Sequence, residues 1–460
     1  MKLVYQVHEK PPFSKNLIYA FQQVLAIMAA TILVPALINS NVDVIAHFLG
    51  KSPEMSQAAA MFGAGIGTLV YVLFTKGKSP VFLGSSFAFI PSMAAAFAGA
   101  ISISLGYLGL IIGAIFAGLV YVLLAVVVKF VGVKWIAKLM PAVVIGPVVA
   151  VIGISLSSSA IGNLNTADAG GSAYAAVACG LVALFVTMLT STYAPKNIKL
   201  IPFIIGILAG YALALVLTVI GEVAAIKELL VLDFAPFKAL VDDGVKLDTF
   251  VALPDFTFLA AAKGFKDLTP AYFLTIFVAY APVAFVVFAE HIADHKNLST
   301  IIDKDLLEDP GLDKTLLGDG VGSIAGAVFG GCPNTTYGES VGCVAISGNA
   351  STSTIKLASL LCIAMSLISP FVAFLDSIPT CVMGGICIAL YGFIAVSGLK
   401  MIQGVDLSKN RNLFTVSVIL VAGIGGLALT FGKVTITAVA VALILGIITN
   451  IVLSKEKDEA

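Results

Sequence analysis

Glu290 and Glu339 are carboxylates set in stretches otherwise too apolar to hold a charge. Glu290 closes the run "FVAYAPVAFVVFAEHIADH", and Glu339 lies in "GGCPNTTYGES" (330–340). An acid at the centre of a bilayer-spanning helix costs about 2.5–3.5 kcal/mol on insertion scales, so such groups mark ion or substrate pathways. Their chemistry would be to accept hydrogen bonds from a ligand and to hold a proton. Asp294 follows Glu290 by four residues and shares its helical face, which makes a relay available. His295 follows by five. Three have a blander reading: an interfacial acid at a helix end for Glu290, a dipole-stabilising carboxylate for Glu339, and the start of a solvated loop for His295.

The elements that must position these groups are membrane helices. The chain has 460 residues, 59% of them hydrophobic and 11% charged, with a mean hydropathy of +1.05. Soluble domains carry about 25% charged residues. Apolar runs of roughly 20 residues, the length of a spanning helix, recur from end to end. Fourteen segments are expected, at 16–38, 56–75, 80–100, 105–128, 136–158, 173–193, 200–220, 270–292, 314–331, 336–348, 353–375, 378–399, 412–431 and 434–453. With the N-terminus inside, Lys51 and Lys433 are the basic residues left in short outside loops. Five more lie in the long, also acidic 221–268 loop, so both termini are expected to be cytoplasmic. Residues 1–16 show no cleavable signal pattern, and the first segment would direct insertion.

Several classes are set aside by the same reading. Net charge is zero, so no nucleic-acid partner is suggested. The six cysteines sit in apolar segments without CxxC spacing, as packing thiols and not disulfides or metal ligands. "TKGKSP" lacks the upstream glycine of a phosphate-binding loop. No catalytic constellation, cofactor or metal site is expected.

Two internal echoes organise the segments. "GAGIGTLVYVLF" (63–74) resembles "GDGVGSIAGAVF" (318–329), and "MPAVVIGPVVAVIG" (140–153) resembles "IPTCVMGGICIALYG" (378–392) more loosely. They pair segment two with nine and five with twelve. An offset of seven, an odd number, requires the halves to insert upside-down, which is an inverted repeat. The stretches that follow the first echo, "KSPVFLGSSFAFIP" (78–91) and "GGCPNTTYGESVG" (330–342), both hold small polar residues and a proline. Interrupted segments at matching places in two halves point to a midplane binding site, because irregular backbone survives there only around a cavity or inside protein. An extended stretch followed by a half-helix is expected, its free N–H groups directed at the ligand. Carboxylates facing backbone N–H groups suit a neutral planar ligand such as a pyrimidine-dione.

"GGCPNTTYGESVGCVAIS" resembles the signature of the nucleobase–ascorbate transporter family in its bacterial uracil permease branch, which reads close to P-N-T-T-Y-G-E-N-x-G. "FLGSSFAFIPSM" (82–93), "AEHIADHKNL" (289–298) and "FQQVLAIMAATILVP" (21–35) resemble other segments of the same proteins. The resemblance covers essentially the whole chain. It implies an all-α polytopic membrane protein of fourteen transmembrane segments in a 7+7 inverted repeat, with short antiparallel strands in segments 3 and 10. It implies a core domain from 16–128 and 270–375 and a gate domain from 136–220 and 378–453. It implies uracil import by proton symport across the bacterial cytoplasmic membrane. Carried over by motif, Glu290 and Glu339 would bind uracil, and the N–H groups of Phe87 and Gly338 would bind its carbonyls. Ser86, Tyr337 and Ala30 would line the pocket, and Tyr391 would close it from the gate.

Two departures stand out. Where the family often shows E-H-x-G-H, position 294 is Asp and the histidine is at 295. The proton-coupling candidates are therefore Glu290, Asp294 and His295. Ser340 replaces the commoner Asn after Glu339. Expected partners are uracil, protons and the lipid bilayer, with a homodimer left open. The alternatives are another nucleobase, such as xanthine or urate, on the same fold and, more distantly, an anion exchanger. An anion site should present a cation, yet Arg411, the one arginine, lies in a predicted loop.

Overall fold

The computed structural model describes residues 3–132, 141–196, 198–242, 244–431 and 434–455. The start of the fifth predicted segment, Lys433 and the first residue of the second echo lie outside these. The chain is predominantly helical, as a multi-pass membrane protein must be when its backbone has no water to bond. Among the described residues, eight helical stretches are long and apolar enough to cross a membrane.

The first half contains α1 (Phe13–Asn39), α2 (Gln57–Phe74), strand β1 (Leu83–Ser85), α3 (Ile90–Ala98), α4 (Ile103–Val131), α5 (Ala142–Ser155), α6 (Ala173–Tyr193) and α7 (Pro202–Ala224). The second contains α8 (Pro270–Ile302), α9 (Leu312–Gly330), β2 (Asn334–Thr336), α10 (Gly338–Ser347), α11 (Thr352–Ser366), α12 (Thr380–Met401), α13 (Asn410–Ile424), β3 (Leu429–Phe431), β4 (Val434–Ile436) and α14 (Ala438–Val452). Caps punctuate the series. Ser56, Ser102, Ser172 and Thr269 each accept an N–H from the first turn of the helix they open. Gly331 and Gly348 close α9 and α10 in the left-handed conformation.

β1 and β2 pair antiparallel across the two halves, with Leu83 opposite Thr336, Gly84 opposite Thr335 and Ser85 opposite Asn334. Each strand leads into a short helix. The echo segments also pack on each other, antiparallel and glycine to glycine. A Cβ on Gly63 would sit 2.5 Å from the carbonyl oxygen of Gly326, one on Gly67 2.6 Å from that of Gly322, and one on Gly318 3.0 Å from the Tyr71 ring. These contacts interchange when each residue is replaced by its echo partner, with Gly67 facing its own counterpart.

Two packing groups result. α2 packs on α9 and α11, and α4 packs on α9 and α8. Separately, α12 packs on α5 and α6, α7 on α6, and α13 on α14 and α5. The N-terminal arm lies across the α10–α11 connection. The N–H groups of Val4 and Tyr5 donate to the Gly348 carbonyl at 2.8 and 3.3 Å. Those of Ala350 and Thr352 donate to Tyr5 and Val7 at 3.0 and 3.1 Å.

Three expectations about elements need correction. α8 does not end near residue 292 but runs to Ile302, so Glu290 and His295 lie within it and not at a helix end or loop start. The thirteenth and fourteenth segments are shortened by a hairpin, β3–β4, in a chain expected to have strands only in segments 3 and 10. Gly425 and Gly426 end the helix there, and the Thr- and Val-rich stretch that follows favours strands. The eleventh segment breaks after Ser366, and a second short helix begins at Ser369 with Pro370 in its first turn.

Candidate functional site

The β1–β2 pair delivers two half-helix N-termini to one place. The N–H groups of Phe87, which opens the turn before α3, and Gly338, the first residue of α10, have no intrahelical acceptor. Among the described residues no backbone carbonyl takes either of them. The cradle around them is tied together locally. Ser86 N–H donates to the Pro333 carbonyl at 2.9 Å, and Tyr337 N–H to that of Phe82 at 3.2 Å. The Tyr337 hydroxyl donates to the Ser85 carbonyl at 2.7 Å. Gly84 is required here because a side chain would collide with the Tyr337 ring.

α8 brings the acids. Glu290 is exposed, and Asp294 and Glu339 are half-buried. Asp294 accepts from the Thr336 hydroxyl at 2.8 Å. Its other oxygen would lie 3.8 Å from a Cβ placed on Gly338, which has no nearer neighbour. The charged groups nearest Glu290 are Asp294, Glu339 and Asp319, all acids. Three carboxylates and two free N–H groups therefore meet with no cation among the closest partners. Such a set can accept and donate hydrogen bonds to one ligand and can store a proton.

The remaining expected residues surround this point. Ser86 is buried and its hydroxyl is unpartnered. Ala30 is buried on α1 beside Thr31, which lies next to the Tyr337 hydroxyl. Tyr391 on α12 is 3% exposed and meets the Phe87 ring edge-on, centroids 6.2 Å apart. Its hydroxyl lies beside Cys387 without completing a hydrogen bond. Tyr391 also borders a cavity of about 950 Å³. Leu33, Ile90 and Ala94 line it on one side, and Ser155, Met383 and Ala438 on the other.

His295 does not join the carboxylates. Its Nδ1 meets the His291 carbonyl at 2.8 Å and its Nε2 meets the Tyr71 hydroxyl at 2.6 Å. Asp294 instead occupies the face toward β2. Sequence reasoning missed His291 and Asp319, whose side chains meet at 2.7 Å in complete burial. The one available signal was an aspartate inside the glycine-rich echo "GDGVG".

A family model described as a permease family matches residues 14–432. The uracil permease of Bacillus subtilis is 35% identical over 449 residues, covering 96% of this chain and 93% of that one. The uracil permease of Escherichia coli K12 is 32% identical over 445 residues, covering 96% and 92%. Among solved structures, the transmembrane domain of a cyanobacterial bicarbonate transporter aligns with a TM-score of 0.55 at 14% identity, covering 97% and 100% of the two chains. The murine anion transporter Slc26a9 in its inward-facing state aligns at 0.61 and 11%, covering 97% and 69%. At such identities the structural likeness speaks for the fold alone.

Proposed function

This chain belongs to the permease family and is a membrane transporter, not an enzyme; on that premise we propose that it imports uracil by proton symport. The observation that carries the reading is the meeting of Glu290, Glu339 and the free N–H groups of Phe87 and Gly338 at the β1–β2 cradle. Uracil's ring N–H groups would donate to the two carboxylates, and its carbonyls would accept from the two backbone N–H groups. Ser86, Tyr337 and Ala30 would bound the ring, and Tyr391 would cover it. The relatives named as uracil permeases support the same ligand.

The proposed architecture is fourteen segments in a 7+7 inverted repeat, with both termini cytoplasmic in a bacterial plasma membrane. The interchangeable echo contacts support the repeat. The two packing groups support a core of 16–128 and 270–375 and a gate of 136–220 and 378–453. Alternating access would rock the gate past a base held by the core. The coupled proton would be held by a buried acid or imidazole on α8, with Glu290, Asp294 and His295 as candidates. The acid-rich site does not suit an anion, despite the fold shared with anion transporters.

Counterflow of labelled uracil in proteoliposomes tests the ligand, and accumulation under an inward proton gradient tests the coupling. Collapse of the gradient and membrane potential should stop accumulation and spare uracil–uracil exchange. Absence of counterflow would reject uracil, and accumulation driven by Na+ alone at equal pH would reject proton symport.

A further inference from the structure

His291 reaches from α8 to two side chains of α9. Its Nδ1 lies 2.7 Å from Asp319 Oδ2, and its Nε2 lies 3.0 Å from Thr315 Oγ1. Thr315 is also placed to donate its single hydroxyl proton to the Leu312 carbonyl at 3.1 Å. Donor counting gives two states. If Thr315 donates to Leu312, His291 Nε2 must donate to Thr315, and Nδ1 either donates to the Asp319 carboxylate or accepts from its protonated form; either way the pair holds one extra proton and is net neutral. If Thr315 donates to Nε2, the ring is neutral, and the Leu312 carbonyl loses that bond. The hydroxyl proton is a two-position switch set by the proton on His291.

The second histidine closes differently. The Tyr71 hydroxyl donates to Ser79 Oγ at 2.8 Å, its oxygen meets His295 Nε2 at 2.6 Å, and His295 Nδ1 donates to the His291 carbonyl at 2.8 Å. The two imidazoles stack with centroids 4.0 Å apart, so charge on both at once is disfavoured. His291 has a carboxylate partner where His295 has a phenol and a carbonyl, so a proton taken up here is held by the Asp319–His291 pair.

The outer contacts of the pair run through β2. Asp319 Oδ1, the Tyr121 hydroxyl and the Thr335 hydroxyl are all buried, and none completes a hydrogen bond of good geometry although Thr335 lies within reach of the other two. Thr335 stands beside both other groups, and the Tyr121 ring meets His291 edge-on at 6.4 Å. Thr335 is the middle residue of β2. Its neighbour Thr336 bonds Asp294 at the ligand site. Successive residues of one strand thus touch the ligand-facing acids and the buried pair.

We propose that the Asp319–His291 pair is a proton-binding site, separate from the carboxylates that face the ligand, loaded and emptied once per cycle through movement of β2. The proposal rests on the proton-symport reading above. The titratable groups that face the pair are Tyr71 from α2, Tyr121 from α4, and Glu290, Asp294 and His295 from α8. None of these is a lysine or arginine. The loaded pair is net neutral, and loss of the proton leaves one buried negative charge among them. The proton enters His291 Nε2 from water on one side of the membrane and leaves it to water on the other, with no other bond made or broken.

The test uses the full chain in proteoliposomes with a trapped pH dye. Asp319→Asn imitates the loaded, neutral carboxyl. Uracil-linked acidification of the lumen should fall at least about tenfold, while uracil counterflow continues. An unchanged ratio of protons to uracil in that variant overturns the proposal. Should the variant fail to yield monodisperse protein, Thr315→Val removes the switch while keeping the shape. It should move the pH at half-maximal accumulation by about one unit, and an unmoved midpoint equally overturns the proposal. Loss of counterflow in the unmodified chain would strike the uracil reading, a different result from loss of proton flux alone.

Discussion

Glu290 and Gly338 would act on the ligand from opposite sides, and their variants separate two effects. Removing a charged hydrogen-bond partner costs about 1.5–3 kcal/mol. Glu290→Ala should weaken uracil binding roughly tenfold to over a hundredfold, with the protein still inserted; calorimetry on purified protein that returns unmodified affinity would refute the role. A Cβ at Gly338 meets only Asp294, at ordinary contact distance. Gly338→Ala should therefore leave thermal stability unchanged and weaken binding through the ligand alone. The two glutamates were legible in the sequence because a charge in an apolar run is visible without knowing the fold. His291 and Asp319 were not. Their contact crosses helices, 28 residues apart in sequence, and a lone aspartate between glycines reads as one more feature of a close-packed helix.

At the scale of elements, the glycine seam between α2 and α9 fixes how closely the two half-sites approach. A Cβ on Gly67 falls 2.6 Å from the Gly322 carbonyl oxygen and 2.5 Å from Asn334 Nδ2. Overpacking costs typically about 1–3 kcal/mol, and backbone cannot swing aside as a side chain can. Gly67→Val should lower the melting temperature or abolish monodisperse protein, whereas Gly342→Ala on α10, where nothing lies within 4 Å, should do neither. Asp168, in the loop before α6, accepts the Thr380 N–H at 2.7 Å at the start of α12. Burial lifts its carboxyl above the usual range, with the Thr380 bonds opposing. A raised folded value means the folded chain keeps the proton to higher pH than the unfolded one. Its contribution to stability is then greatest below the ordinary carboxylate range and declines as pH rises through the folded value. Asp168→Asn should melt higher than the unmodified protein near about pH 8 and equal to it near about pH 4. Extended stretches in segments 3 and 10 could be anticipated, because proline, glycine and small polar residues exclude a continuous helix; their antiparallel pairing came from the family resemblance alone. The β3–β4 hairpin could not. Its residues are apolar enough to extend two helices, and only the paired glycines at 425–426 argue otherwise.

For the whole molecule, the proposed division into core and gate makes a mechanical claim. Phe87 and Tyr391 touch across the two groups, whereas Ser85 and Asn334 face each other within one. With native cysteines removed, a crosslink between cysteines at 85 and 334 should leave uptake intact. One between 87 and 391 should stop uptake until reductant is added. Transport that survives the second crosslink would dissolve the division. That the chain is a helical, multi-pass membrane protein could be read from hydropathy, but which helices form each group could not, since that depends on contacts between residues hundreds of positions apart.

The N-terminal arm has a consequence for counting. Residues 4–7 bond directly to the turn at 348–352, so both lie at the same membrane surface. The chain between them must then traverse the bilayer an even number of times, whichever way the protein is inserted. Of the ten proposed segments in that interval, two are built from a strand and a helix too short to cross alone, α3 and α10. Counting both gives ten crossings and counting neither gives eight, but counting one gives an odd number that would place arm and turn on opposite surfaces. The two broken segments cross together or not at all.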